Sequence, residues 1–246
     1  MKGAENSVMI VWFIAAFTAY FVKGLCGFAN TLIFTAILSF GAANANISPV
    51  DVLLGYPANL ILTWKNRRSL DPKVILPLAI LVLAGSIPGA LMLRNVDARP
   101  VKLVFGLVVI ALGMEILARE YSKKRDRSSK WVLAIIGVTA GMLSGLFGVG
   151  ALLAAYVSRV TENDESFKAN ISAVFIVDNT FRIIFYKTLG LLTPETVKTV
   201  ILLIPFALSG LFTGMKCCGH MNDKIVRKIT TVLLILSGIS LVLKNL

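Results

Sequence analysis

Long apolar segments recur along almost the whole chain, and several approach the length that a helix needs to cross a membrane. They cover residues 8–22, 24–43, 47–64, 74–93, 101–118, 131–157, 171–189, 196–215 and 229–243. A helix spans the hydrocarbon layer of a bilayer with about 20 apolar residues. The segments lack the alternation of a membrane β-barrel, and helices satisfy their backbone hydrogen bonds internally. The sequence therefore predicts an all-α integral membrane protein in contact with lipid.

The composition supports this class and argues against a nucleic-acid partner. Charged residues make up only 15% of the chain, whereas a soluble domain carries about 25%. The formal charge of +12 comes from short basic clusters between apolar segments, as at residues 65–68 and 123–127. Such clusters mark cytoplasmic loops of membrane proteins. The first apolar segment shows no clear cleavage site, so we interpret it as part of the mature protein.

The chain consists of two similar halves. Residues 18–30 match residues 139–151 at a spacing of 121, and further matches follow in the same order. The matched pairs are Gly24 and Gly145, Gly27 and Gly148, Asn59 and Asn179, Gly85 and Gly210, Gly89 and Gly214, and Asp97 and Asp223. We predict a single transmembrane domain made of repeat halves 1–120 and 127–246, joined by a basic linker at 119–130. Internal repeats of this kind are typical of secondary transporters.

The opening stretch of each half, residues 8–43 and 131–160, is too long for one simple crossing and is interrupted by glycines. In one arrangement, each stretch is a single long crossing, which gives eight helices and two halves of the same orientation. In the other arrangement, each stretch is a re-entrant pair of half-helices followed by three crossings. The second arrangement makes the repeat inverted. It also gathers more Lys and Arg residues on the cytoplasmic side, so we favour it. Both arrangements place residues 65–73 and 119–130 in the cytoplasm.

The glycine interruptions also predict a binding site. Gly24 and Gly27 lie in the middle of the first stretch, and Gly145 and Gly148 occupy the matching positions of the second. A helix broken there presents free N–H groups and the positive end of its dipole, which favour an anion. Close packing of helices is the alternative explanation for such glycines. It is the explanation that we favour for Gly85, Gly89, Gly210 and Gly214.

Lys23 adjoins the first break, deep within an apolar segment. A charged side chain at such a depth is costly, so it faces a partner or a wet cavity unless it extends to the membrane surface. Beside the break its ammonium would help to bind an anion. Ser144 offers a hydroxyl at the matching position of the second half, and Asn30 follows the first break. We predict that both contribute to substrate binding.

A second cluster of polar residues within an apolar segment contains Asp178, Asn179 and Arg182. Asp178 and Arg182 are four residues apart on one helical face, so they could form a structural pair. In the functional alternative, Arg182 binds the anion and Asp178 carries the coupling proton or sodium ion. Asn179 and its repeat partner Asn59 would line the cavity from both halves.

The glycine-broken opening segment, its recurrence as Gly-Leu-Phe-Gly-Val-Gly at residues 145–150, the two halves and the basic linker resemble the TauE/SafE family of sulfite and organosulfonate exporters. At 27–30 and 148–151 the sequence departs from the run of glycines that family members carry. The resemblance implies a multi-pass transporter of the bacterial plasma membrane. Its implied substrate is sulfite, an organosulfonate or a similar small oxyanion, and the implied direction is export.

Two other functions remain open at this stage. An anion channel could use the same scaffold without a coupling residue, and a non-transporting subunit could anchor partners, although buried charges argue against an anchor. We do not expect an enzyme, because the spacing around Ser144 differs from that of an intramembrane serine protease and His220 has no carboxylate beside it. Neither a cofactor nor a metal site is expected. A homodimer is compatible with the predicted fold.

Overall fold

The computed structural model describes residues 2–38, 44–95 and 163–221, together with Thr161 and single helical positions within 103–117, 153–160 and 225–243. The regular elements in this part of the chain are helical, as predicted for an all-α protein. In chain order they are α1 (Lys2–Cys26), α2 (Asn30–Leu38), α3 (Asn44–Lys65), a 3₁₀ helix (Arg67–Ser69), α4 (Pro72–Asn95), α5 (Asp164–Thr188) and α6 (Pro194–Cys218).

Two of the described helices are long and apolar enough to cross a membrane: Val8–Cys26 within α1, and α6. A helix with the 25 residues of α6 is about 37 Å long, which exceeds the thickness of the hydrocarbon layer. The outer faces of both helices are apolar, and Ile14 and Ile201 are 56% and 65% exposed. Lys23 and Arg182, in contrast, are buried. An apolar exterior around buried charges is the arrangement expected of a protein surrounded by lipid.

The first apolar stretch reverses direction between α1 and α2. Gly27 has a φ of 85° and Ala29 a φ of 71°, a left-handed conformation that is uncommon outside glycine. Trp12 of α1 packs edge-on against Phe34 of α2, with ring centroids 5.9 Å apart, so α2 runs back along α1. The stretch is therefore not one continuous crossing. The expectation of two half-helices is wrong for α1, however, because its 25 residues continue past Gly24 to Cys26.

Glycines allow α1 and α6 to pack with their backbones in contact. A Cβ atom on Gly210 would collide with the carbonyl oxygen of Phe17, and one on Gly214 with that of Phe21. A Cβ atom on Gly24 would collide in turn with the backbone of α6. These contacts follow the same order along both helices, so α1 and α6 are parallel. The packing explanation thus holds for Gly210 and Gly214 and applies to Gly24 as well.

The helices α3 and α5 are antiparallel. Near the start of α3, Ser48 Oγ lies 3.0 Å from the hydroxyl of Tyr186, which belongs to the last turn of α5. Just beyond the end of α3, the N–H of Asp71 donates a hydrogen bond of 2.8 Å to Asn170 Oδ1, in the second turn of α5. The loop after α3 and the start of α5 therefore lie at the same end of the bundle.

Several sequence predictions concern residues outside the described part of the chain. Ser144, Gly145 and Gly148, which form the predicted second break, lie there, as does the linker at 119–130. The boundaries of the two repeat halves accordingly stay predictions.

Candidate functional site

The described helices bury charged side chains from α1, α3 and α5. Lys23, Asp51, Asp178 and Arg182 are each 3% exposed or less, and Lys168 is 7% exposed. A buried charge is tolerated when another charge and hydrogen bonds compensate for its lost hydration. The partners of these residues consequently define where a charged ligand could be accommodated.

Lys23 lies at the end of α1 and reaches across the reversal. Its ammonium donates a hydrogen bond of 2.9 Å to Asn30 Oδ1, in the first turn of α2. The same nitrogen lies 5.4 Å from the ring centroid of Phe175, which is near the middle of α5. This distance allows a cation–π interaction. The amide nitrogen of Asn30 then donates a hydrogen bond of 3.1 Å to Asp51 Oδ1.

Asp51 of α3 accepts several hydrogen bonds of this network. Besides Asn30, the hydroxyl of Thr31 donates to Oδ2, and the hydroxyl of Tyr20 donates to Oδ1 over 3.3 Å. Such a set of donors fits an ionised carboxylate, which only accepts hydrogen bonds. The sequence analysis missed Asp51. It could have been found by the reasoning applied to Lys23, because it is an ionisable residue inside the apolar segment 47–64.

Arg182 projects from α5 toward the start of α3. One terminal nitrogen of its guanidinium donates to Ser48 Oγ over 2.9 Å and to the hydroxyl of Tyr186 over 2.7 Å. Asp178 and Asp51 both interact with this guanidinium electrostatically. Within the described residues, Nε of Arg182 is buried without a hydrogen-bond partner. As far as the described residues show, the Nε–H group is therefore available to donate a hydrogen bond to a further acceptor.

Asp178, the predicted coupling residue, also contacts α4. Its Oδ1 accepts a hydrogen bond of 2.6 Å from Ser86 Oγ. The carboxylate thus contacts α4 and interacts electrostatically with the guanidinium of Arg182. This arrangement is compatible with both of the roles considered for Asp178, structural pairing and ion coupling.

Polar groups that belong to three other helices surround Gly55 of α3. A Cβ atom on Gly55 would lie 3.3 Å from Asn179 Nδ2, 3.6 Å from the Tyr20 hydroxyl and 3.7 Å from Asn30 Nδ2. These groups come from α5, α1 and α2, so the absence of a side chain on α3 leaves room between them. We call this space the Gly55 gap. One turn further along α3, Asn59 Oδ1 is buried and unpartnered in the part of the chain that the structure describes.

A cavity of about 450 Å³ lies at the end of the bundle that carries the loop after α3. Its lining includes Gly24, Lys65, Asn163 and Lys168. Lys65 and Asn163 are exposed, whereas Lys168 is buried. The cavity thus connects an exposed rim, which carries Lys65 and Glu165, with the ion pair between the buried Lys168 and Asp164 beside the reversal of α1 and α2.

Lys168 is held at the inner side of this cavity. Its ammonium pairs with Asp164 at 2.5 Å and lies 2.9 Å from Cys218 Sγ. Its side chain also packs on Gly27, where a Cβ atom would lie 2.7 Å from Lys168 Cγ. Lys168 belongs to the second turn of α5. Its burial is explained by packing against Gly27 and by the ion pair with Asp164, one turn earlier in α5.

Several predicted binding residues are close together in space. The polar site combines the predicted residues Lys23, Asn30, Asn59, Asn179 and Arg182 with the unforeseen Asp51 and Gly55. Gly27 forms the reversal itself, while Gly24 faces α6.

A helical bundle with an apolar exterior and an internal cluster of charges has the features of a polytopic membrane protein. The chain belongs to the TauE/SafE family, since the family model described as Sulfite exporter TauE/SafE matches residues 12–241, nearly its full length. No curated protein and no solved structure matches the chain. The family match confirms the resemblance recognised from the sequence. It identifies the protein as a member of a family of membrane transporters for sulfur compounds.

Proposed function

We propose that the protein is a secondary transporter that exports a small sulfur-containing oxyanion, such as sulfite or an organosulfonate, across the bacterial plasma membrane. The observation that carries this proposal is the pair of buried cations, Lys23 and Arg182, around one polar site. Both interact electrostatically with Asp51. A planar guanidinium whose Nε–H has no partner among the described residues suits the oxygen atoms of sulfite or a sulfonate.

The 450 Å³ cavity supports a route to this site. An anion that enters between Lys65 and Asn163 first meets Lys168, beside the reversal. From there, Lys23 and the Gly55 gap lie further along the bundle. Along this route, the buried cations would replace part of the hydration that the anion loses. We infer that the cavity is the cytoplasmic approach to the binding site.

The proposed topology is the inverted repeat, with both termini outside. In the repeat predicted from sequence, α3 and α5 are equivalent helices, because they carry the matched residues Asn59 and Asn179. Their antiparallel packing supports opposite orientation of the two halves. The shared location of the loop after α3 and the start of α5 supports the same conclusion, since eight plain crossings would place these segments on opposite sides of the membrane.

Flux measurements in liposomes test the proposed function. The purified protein should carry sulfite or an organosulfonate such as sulfoacetate in preference to carboxylates, and a proton or sodium gradient should drive accumulation. Arg182→Gln should reduce the flux strongly, while Arg67→Gln, which removes an exposed guanidinium, serves as the matched control. Protein-dependent flux that only equilibrates the anion would indicate a channel instead. Absence of flux for every anion of the panel would refute the transporter proposal.

A further inference from the structure

Asp51 holds the position that a transported anion is expected to occupy. Its carboxylate accepts hydrogen bonds from Asn30, over 3.1 Å, and from Thr31, both in the first turn of α2. Lys23 and Arg182 both act on it electrostatically. The positive end of a helix and two buried cations are the features predicted to attract a substrate. In this structure a carboxylate of the protein itself binds side chains of the first turn of α2 and interacts with both cations.

Among the residues that the structure describes, the charges of the site are balanced without a substrate. Lys23 and Arg182 carry two positive charges when protonated, and Asp51 and Asp178 carry two negative charges when ionised. An added anion would leave a net negative charge among buried groups, which is costly. Protonation of one carboxylate would restore the balance. Asp51 is the better candidate of the two, because it interacts with both cations and contacts the first turn of α2.

We propose that Asp51 is a built-in competitor of the transported anion, and that its protonation frees Lys23, Arg182 and the start of α2 for the substrate. The inference rests on the proposed function and assigns its coupling ion as a proton. Binding of the anion and uptake of a proton by Asp51 then favour each other. By linkage, rising pH weakens anion binding, because the ionised carboxylate competes more strongly.

The titratable groups that face Asp51 are the other sources from which such a pH dependence could arise. Tyr20 and Lys23 face it from α1, Arg182 faces it from α5, and its contacts from α2 are with the uncharged Asn30 and Thr31. The described charged residues of α6, which also packs on α3, are the exposed Glu195, Lys198 and Lys216. Loss of the Lys23 proton would likewise weaken anion binding as pH rises. The decisive experiment must therefore separate Asp51 from Lys23.

The experiment measures the affinity of the purified full-length protein for sulfate and methanesulfonate by calorimetry, from weakly acidic to weakly alkaline pH. These anions do not titrate in that range, unlike sulfite. Wild-type affinity should fall by up to about tenfold per pH unit, the limit for one linked proton. Asp51→Asn, which mimics the protonated side chain, should bind independently of pH, as tightly as the wild type does in acid. Glu195→Gln, at an exposed carboxylate, should keep the wild-type slope.

Three outcomes would overturn the inference. The slope could persist in Asp51→Asn, as expected if Lys23 titrates, or it could vanish in Asp178→Asn instead. Alternatively, the wild type could bind with no pH dependence. Calorimetry in buffers of different ionisation enthalpy adds a second readout: proton uptake on binding that is present in the wild type and lost in Asp51→Asn supports the inference, and absence of uptake in the wild type refutes it. Failure of the proposed function is distinct, since the wild type would then carry no anion in the flux assay.

Discussion

The ammonium of Lys23 and the side-chain carbonyl of Asn30 are joined by a hydrogen bond of 2.9 Å that closes the reversal between α1 and α2. Through its amide nitrogen, Asn30 also donates to Asp51. A single amide side chain thereby links a buried cation to a buried carboxylate from another helix. Changes to either charge should affect both the reversal and the binding site.

Lys23→Met should weaken anion binding roughly tenfold or more, corresponding to about 1.5–3 kcal/mol for the loss of a hydrogen bond to a charged group. Methionine keeps most of the apolar stem and removes the charge. The affinity for sulfite or sulfate, measured together with the melting temperature, checks this. Lys198→Met makes the same change at an exposed position and should leave both quantities unaltered. If Lys23→Met binds with wild-type affinity and is equally stable, Lys23 does not contribute to the site.

Asp178→Asn should lower the free energy of unfolding by about 3 kcal/mol, because it removes a carboxylate that compensates the buried charge of Arg182. Denaturation in detergent measures the loss, and additional neutralisation of Arg182 should restore part of it. A variant with wild-type stability that no longer accumulates the anion against its gradient would instead identify Asp178 as the coupling residue.

Gly55→Ala should reduce anion affinity without reducing stability. The new methyl group would fill the Gly55 gap, 3.3 Å from Asn179 Nδ2 and 3.6 Å from the Tyr20 hydroxyl. Alanine is favoured over glycine inside a helix by up to about 1 kcal/mol, so the melting temperature should stay equal or rise. We expect about a tenfold loss of affinity, the scale of one disrupted hydrogen bond to a charged group. Unchanged affinity would place the binding site elsewhere.

Gly214→Ala should destabilise the bundle by about 1–3 kcal/mol, because the methyl group would collide with the backbone of Phe21 and push α1 away from α6. Gly219→Ala is the matched control: its nearest neighbour would be Lys216 O at 3.5 Å, an ordinary contact. Thermal unfolding of both variants in one detergent checks the prediction. Equal stability of the two would show that the close packing of α1 and α6 is not required.

Cysteine labelling tests the topology at the two ends of α5. In a background without native cysteines, Asn163→Cys should be protected from an impermeant reagent in intact cells and become reactive after permeabilisation. Thr188→Cys, exposed at the opposite end of the helix, should react from outside. Labelling of Asn163→Cys in intact cells would contradict the inverted arrangement and favour eight plain crossings.

The hydropathy of the chain was sufficient to predict helices, the membrane environment and charged residues inside apolar segments, such as Lys23 and Arg182. These features follow from local composition, because an apolar helix must hide its backbone from lipid and a charge inside it needs a partner. The family resemblance rested on similarly local glycine motifs. The reversal of the first stretch could also be anticipated, since glycine permits the positive φ found at Gly27.

The tertiary structure decided which residues face one another, and local sequence carries no information about such contacts. Gly24 and Gly27 look alike in the sequence, yet Gly24 remains helical against α6 while Gly27 forms the reversal. The carboxylate of Asp51 accepts hydrogen bonds from Asn30 and Thr31 because the folding back of α2 brings these two residues to it. The sequence alone determined that buried charges exist in this protein, and the packing of helices distant along the chain determined how those charges are paired.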